Sequence, residues 1–390
     1  MLAFFTAVLG LFPAIFLTSL QVILLIILGW LVLNRRQISW SMVKVQLNWT
    51  HLALGQFFLF FLVNSIVFTA LPGTPDHYRS VAIESWVVSL LALLLLALFL
   101  AYQEPTRLKA ALIGWLPVGL CITFAIATVI FISGLQGPRI HIATPNPLVP
   151  PLWFLILTLC SFTWFAEMSR AHKALRVALF IMAGLMALYA GARLVMLAWL
   201  FSGLLLGAYL IAISPPRHRT KALLWGGLIL VAGISVMWLA DRLAGALLSH
   251  RLGMLFDLEV SREELRTRFP RLVLWDASLA VISEQMPWGA GNINERILIQ
   301  NEIGWTRWLR AHQSYLSYLI AGGPLALISG VILQLPVLYF LRRNVFRDKF
   351  PAFIGLGAVL ALNCLTDSIL QSAVAVQAYM VILLLYQRAR

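Results

Sequence analysis

Apolar runs close to 20 residues long recur along the whole 390-residue chain, and such runs leave a polypeptide few choices. In a bilayer every backbone N–H and C=O must find its partner within the protein, which admits only helices or a closed barrel. The runs are continuously apolar and do not alternate, which excludes the barrel. Composition agrees: 61% of residues are hydrophobic and 11% charged, against about 25% charged in soluble domains. The expectation is an all-α, polytopic membrane protein.

About twelve transmembrane helices are expected, each near the bilayer-spanning length. Residues 2–33 are too long for one helix and contain Pro13, so they are read as a short hairpin of two. The stretch lacks a basic flank ahead of it and stays apolar to about Leu33, so it is not read as a cleaved signal. The other spans fall near 52–70, 80–102, 110–133, 150–168, 174–190, 192–213, 222–240, 313–340, 351–367 and 371–387. The chain thus divides into a bundle of about nine spans over 1–240, a long hydrophilic loop with helices over 241–311, and about three spans over 312–390. Cys121, Cys160 and Cys364 all lie in apolar sequence without metal-ligand spacing and are read as core residues.

Orientation follows from basic residues in short loops. Arg35, Arg36 and Lys44, then Arg107 and Lys109, then Arg170, Lys173 and Arg176 mark one side as cytoplasmic. Arg217, Arg219, Lys221, Arg342, Arg343, Arg347, Lys349, Arg388 and Arg390 fall on the same side. The long loop then lies on the outer face. All five lysines are cytoplasmic in this scheme, whereas the remaining basic residues are arginines: Arg79, Arg139, Arg193 and nine between Arg242 and Arg310. Arginine presents a rigid fork that matches phosphate oxygens two at a time. An outer face rich in arginine and free of lysine suggests a bound phosphate or pyrophosphate; arginine-biased codon usage is the plain alternative. The formal charge of +14 is largely accounted for by topology, and no basic soluble domain offers a nucleic-acid surface.

Three stretches carry candidate chemistry. Arg193 stands alone in "YAGARLVMLAWLF" at the outer end of a span, either as an anion ligand or as an ion-pair partner of Glu84 or Asp367. In "SREELRTRFPRLVLWDASLAVISEQMPWGAGN", Ser261 and Glu264 form a capping box and Pro270 restarts a helix. Arg268 and Arg271 flank that fresh N-terminus, where anions are favoured. Leu272, Trp275, Leu279 and Ile282 are expected to form its apolar stripe, and "PWGAG" closes it in a glycine-rich turn. Finally, "RWLRAHQSYLSYLIAGG" places Arg307, Arg310 and His312 at the mouth of a span. A neutral imidazole there could take a proton from a hydroxyl, or simply anchor the helix end. There is no DxD motif and no carboxylate or histidine cluster at metal spacing; Asp257 and Glu259 are a weak pair. A metal-independent mechanism without a cofactor is therefore expected.

Taken together, "ARLVMLAW" (192–199), "RLVLWDASLAVISEQMPWGAGN" (271–292) and "AHQSYLSYLIAGG" (311–323) resemble motifs of the O-antigen ligase and polymerase superfamily of bacterial envelope proteins, most closely the ligases. The chain departs from the pattern at Ala192, where a small polar residue is usual, at Gln313, where asparagine is usual, and at Gly322-Gly323-Pro324. The resemblance implies that Arg193 and Arg271 hold a donor pyrophosphate and that His312 is the acceptor base. Arg268 and Arg139 join the donor site as further outer arginines. It implies an undecaprenyl-pyrophosphate-linked glycan as donor and lipid A-core as acceptor. It also implies a bacterial inner-membrane location, with the long loop and active site in the periplasm. A polymerase using the same donor, a protein-glycosylating transferase and a transporter of anionic lipid are the competing readings. The last would need charges at mid-membrane in several helices, and the spans offer few besides Arg193.

Overall fold

The computed structural model describes residues 1–14, 16–35, 38, 48–75, 77–133, 149–190, 192–215, 270–304, 311–365, 367 and 369–389, with scattered positions between 219 and 242. Among these residues every regular element is helical. In chain order they are α1 (Leu2–Leu11), α2 (Phe16–Leu33), α3 (Trp49–Val67), α4 (His77–Ala101), α5 (Pro105–Ser133), α6 (Val149–Ser161), α7 (Arg170–Tyr189) and α8 (Arg193–Ile213). After the long loop begins come α9 (Pro270–Gln285) and α10 (Glu295–Ile303), then α11 (Ser314–Gln334) with a 3₁₀ continuation, Leu335–Leu341. The next helix runs as α12 (Arg343–Phe353), a π-helical stretch (Ile354–Val359) and α13 (Leu360–Cys364); α14 (Ala373–Arg388) follows.

Six of these helical segments are long and apolar enough to cross a membrane: Trp49–Val67, His77–Ala101, Pro105–Ser133, Arg170–Leu188, Leu194–Ile213 and Ser314–Leu341. Their outward faces expose large apolar side chains such as Leu94, Val129, Leu204 and Leu325, while polar groups pair inside. Gln377 on α14, for example, donates to buried Ser89 Oγ on α4 at 2.8 Å. That distribution suits a hydrocarbon solvent, in which an unpaired polar group is costly.

The expected break at Pro13 is present, between α1 and α2. The expected span at 150–168 is a helix only to Ser161; Trp164 then takes a left-handed backbone (φ 62) that turns the chain. The segment expected at 222–240 lies, apart from scattered positions, outside the described residues, as does the Ser261–Glu264 cap. The stripe expected on α9 is displaced. Leu274, Ala277, Ser278 and Val281 are the buried set, Ile282 joins them, and Leu279 is 53% exposed. Apolar residues cover more than one face of α9, so spacing alone did not single out the packed one.

Two of the basic residues read as topology charges are internal caps. Arg176 is fully buried on α7, and its guanidinium donates to the carbonyls of Ser161 (3.2 Å) and Ile113. Ser161 ends α6. Ile113 lies four residues before Pro117, which has no N–H to offer it, so both carbonyls lack a helical donor. Lys349 is likewise buried and donates to the carbonyls of Tyr386 and Ala389, at 2.7 and 2.6 Å, closing the end of α14. Asn48 serves as a local cap too. It caps α3, accepting from the Thr50 N–H at 3.0 Å, while His51 completes the box.

Close backbone approach fixes how α1 lies on α5. A Cβ on Gly10 would stand 2.4 Å from the Leu116 carbonyl oxygen, and one on Gly119 would stand 2.1 Å from that of Ala7. Thr123 Oγ1 donates to the Gly10 carbonyl at 2.9 Å across the same crossing. Small residues that let backbones meet are the usual means of helix association in lipid.

Candidate functional site

The site begins with a break in α11. Gly322 and Gly323 leave helical geometry (φ −156 and +60), and Pro324 follows. Pro324 has no N–H for the Ile320 carbonyl four residues earlier. The glycine-rich turn after α9 supplies the missing donors. Ala290 N–H donates to Ile320 O at 2.7 Å, and Gly291 N–H to Ala321 O at 2.9 Å. The fit is backbone on backbone: a Cβ on Gly323 would stand 1.9 Å from Pro287 O, and one on Gly289 would stand 2.6 Å from Gly322 N. Asn64 of α3 completes the joint. Its side chain donates to Ala321 O at 2.8 Å and accepts from Asn292 N–H at 2.9 Å. The second and third sequence motifs are therefore two halves of one structural joint.

One joint holds the middle of α11, and two clamps hold its start. Gln313 caps α11 by accepting from Leu316 N–H. Just ahead, His312 has a left-handed backbone (φ 50), which costs a non-glycine residue about 1–2 kcal/mol. The strain is held from both sides. Glu295, buried at the head of α10, accepts from Ala311 N–H (3.1 Å) and from Ser317 Oγ (2.5 Å). Ser314 Oγ donates to the Asp367 carbonyl at 2.9 Å. Strained backbone that its surroundings over-determine is characteristic of functional sites.

The conformation aims His312 at a carboxylate. His312 Nδ1 lies 3.3 Å from Asp367 Oδ1; the imidazole is 37% exposed and the carboxylate 6%. A carboxylate beside Nδ1 favours the tautomer protonated there, which leaves Nε2 as the basic atom. Asp367 enters sequence reasoning only as a possible partner of Arg193; the structure places its carboxylate beside His312, and the Arg193 side chain lies outside the described residues. What the pair offers chemically is a partly exposed, oriented base.

The arginines are placed unevenly. Arg271 stands in the first turn of α9, which Pro270 opens and which packs on α11. Leu274, one turn further on, shares a buried cluster with Ala311 and Ile320. Arg193 is the first residue of α8. Tyr209 at the other end of α8 donates to the Arg347 carbonyl near the start of α12, so α8 runs antiparallel to α12–α13. Arg193 therefore starts α8 at the end of the bundle where α13 leads to Asp367. Among the described residues, no hydrogen bond or ion pair joins an arginine to His312. Arg139, Arg268, Arg307 and Arg310 lie outside the described residues. Arg79, counted with the outer arginines, instead closes α3, donating to the carbonyls of Ser65 (3.3 Å) and Ile66 (2.5 Å).

Beside the Glu295 clamp, a cleft of about 300 Å³ opens between α4, α10 and the start of α14. Tyr78, Ser85, Trp86, Asn292 and Arg296 line it, and the Arg296 guanidinium lies over the Tyr78 ring at 5.9 Å. Arg296 was not among the expected anion ligands, because nothing near it in sequence marks it out. The cleft shares Glu295 with the clamp on Ala311, so it adjoins the backbone that carries His312.

Compared with models of known families and with the sequences of curated proteins, the chain matches none.

Proposed function

We propose that the chain is a membrane glycosyltransferase of the O-antigen ligase kind. It would move a glycan from undecaprenyl pyrophosphate to lipid A-core on the periplasmic face of the bacterial inner membrane, with about twelve spans and one long periplasmic loop. The observation that carries the reading is the His312–Asp367 pair at the strained mouth of α11. It is supported by the arginine-headed helix α8 at the same end of the bundle and by α9, headed by Arg271, packed on α11.

In this mechanism Asp367 holds Nδ1–H of His312, and Nε2 takes the proton of the acceptor hydroxyl. The hydroxyl oxygen forms a bond to the anomeric carbon from the face opposite the leaving group, and the bond from that carbon to the pyrophosphate oxygen breaks. Configuration inverts in a single step, so one base is enough. The leaving pyrophosphate gains charge as the bond breaks, and Arg193, Arg271, Arg268 and Arg139 would stabilise it there. Both substrates are anchored in one membrane plane, which supplies orientation. The sequence has no DxD motif and only the weak Asp257–Glu259 pair with which to hold a donor-bound divalent cation, so the transfer is proposed to be metal-independent.

The test is a deletion of the gene followed by analysis of the outer-membrane lipid. A ligase leaves lipid A-core without long glycan while lipid-linked polymer accumulates. Short lipid-linked units in place of polymer would point to a polymerase and overturn the ligase assignment.

A further inference from the structure

A second cleft, of about 400 Å³, lies at the opposite end of the helices that frame the first. The first cleft takes Phe61 of α3, Tyr78 and Ser85 of α4 and Ala373 of α14. The second takes the start of α3 (Asn48–His51), the last turn of α4 (Ala97–Ala101) and the end of α14 (Leu384, Gln387, Arg388), with the 3₁₀ segment after α11. A 25-residue helix such as α4 is roughly 37 Å long, so the two clefts lie near opposite membrane surfaces.

Among the described residues, the charged side chains lining this second cleft are Arg342 and Arg388, and no carboxylate is among the lining residues. Arg342 is exposed, with its guanidinium over the Tyr339 ring at 5.3 Å. Arg388 is anchored through Nη2, which donates to the carbonyls of Ala101 (3.4 Å) and Gln103 (3.2 Å). Glu104, next to Gln103, is occupied by Arg107 at 2.7 Å. The rim is apolar and open: Trp49 is 58% exposed, Leu338 48% and Leu335 40%. Exposed tryptophan is favoured where hydrocarbon meets headgroups, and basic pockets between helices at that depth hold lipid phosphates.

We propose that this cleft binds the headgroup phosphate of an anionic membrane phospholipid, with Arg342 and Arg388 on the phosphate and Trp49, Leu335 and Leu338 against the acyl chains. The apolar rim selects a lipid over a free anion, and the two arginines select an anionic lipid over a zwitterionic one. The site is independent of the transfer chemistry at the other end of the bundle.

The experiment titrates the full-length protein in uncharged detergent with phosphatidylglycerol, phosphatidylcholine or inorganic phosphate and reads bound species by native mass spectrometry. Phosphatidylglycerol is expected to bind at least tenfold more tightly than phosphatidylcholine, and inorganic phosphate is expected not to displace it. Arg342→Gln should weaken phosphatidylglycerol about fivefold, the usual value of one basic residue at a membrane surface, and Arg342→Gln/Arg388→Gln should weaken it further. Equal binding of the two lipids would overturn the proposal, as would unchanged binding in the variants. Displacement of phosphatidylglycerol by inorganic phosphate would recast the cleft as a free-anion site and overturn the lipid assignment. Should the double variant fail to fold, Arg342→Gln and the charge-reversing Arg342→Glu carry the test, because the Arg342 side chain stacks on Tyr339 and makes no capping hydrogen bond.

Discussion

His312 combines three properties that an anchoring histidine does not need together: a left-handed backbone, a carboxylate at Nδ1 and partial exposure. Replacing it with glutamine keeps a polar side chain at the helix mouth but removes the base. In reconstituted protein, His312→Gln should lower turnover by roughly 10²–10⁴-fold while donor affinity stays within about threefold of wild type. Near-normal turnover of His312→Gln would remove the base role. Asp367→Asn probes the orienting partner and should cost between about tenfold and 10⁴-fold, since an amide can hold the wrong tautomer. Arg271→Lys keeps the charge and loses the fork, so donor affinity and turnover should both drop if two-pronged phosphate contact is what Arg271 provides. Unchanged kinetics in that variant would take Arg271 out of the donor site.

Among the helices, the joint between the turn after α9 and the kink in α11 is the most exacting contact. Gly323→Ala would force a methyl to within 1.9 Å of Pro287 O at a positive φ, and should cost at least about 1–3 kcal/mol. Gly114→Ala in α5 meets nothing within 4 Å and should be neutral, or stabilising by up to about 1 kcal/mol. Thermal unfolding of both variants in one detergent checks the contrast, and equal melting points would show that the joint is loose. The "PWGAG" stretch was visible in the sequence as a turn, whereas Gly322-Gly323-Pro324 fell inside an expected span; their mutual fit was not visible, because a motif carries no record of what packs on it. The positions of the long helices were legible from apolar length alone. The packed face of α9 was not, since apolar residues such as Leu279 also point outward. Asp367 lies 55 residues beyond His312 in a short loop without any local signature, so only the fold could pair them. Arg176 and Lys349 read as surface charges for the same reason: capping a distant carbonyl leaves no trace in the spacing of residues.

At the scale of the molecule, α3, α4 and α14 carry different chemistry at their two ends. One end offers the clamped His312 region and the Arg296 cleft; the other offers Arg342 and Arg388 at an apolar rim. The account makes the first end a site of glycan transfer. The most direct test is transfer by the purified full-length protein in liposomes holding a lipid-linked glycan labelled in its sugar, together with lipid A-core, with EDTA present throughout. The account predicts label on lipid A-core with inverted anomeric configuration, release of undecaprenyl pyrophosphate and no dependence on added divalent metal. Label confined to a longer lipid-linked glycan, or transfer that appears only when a divalent metal is restored, would contradict it.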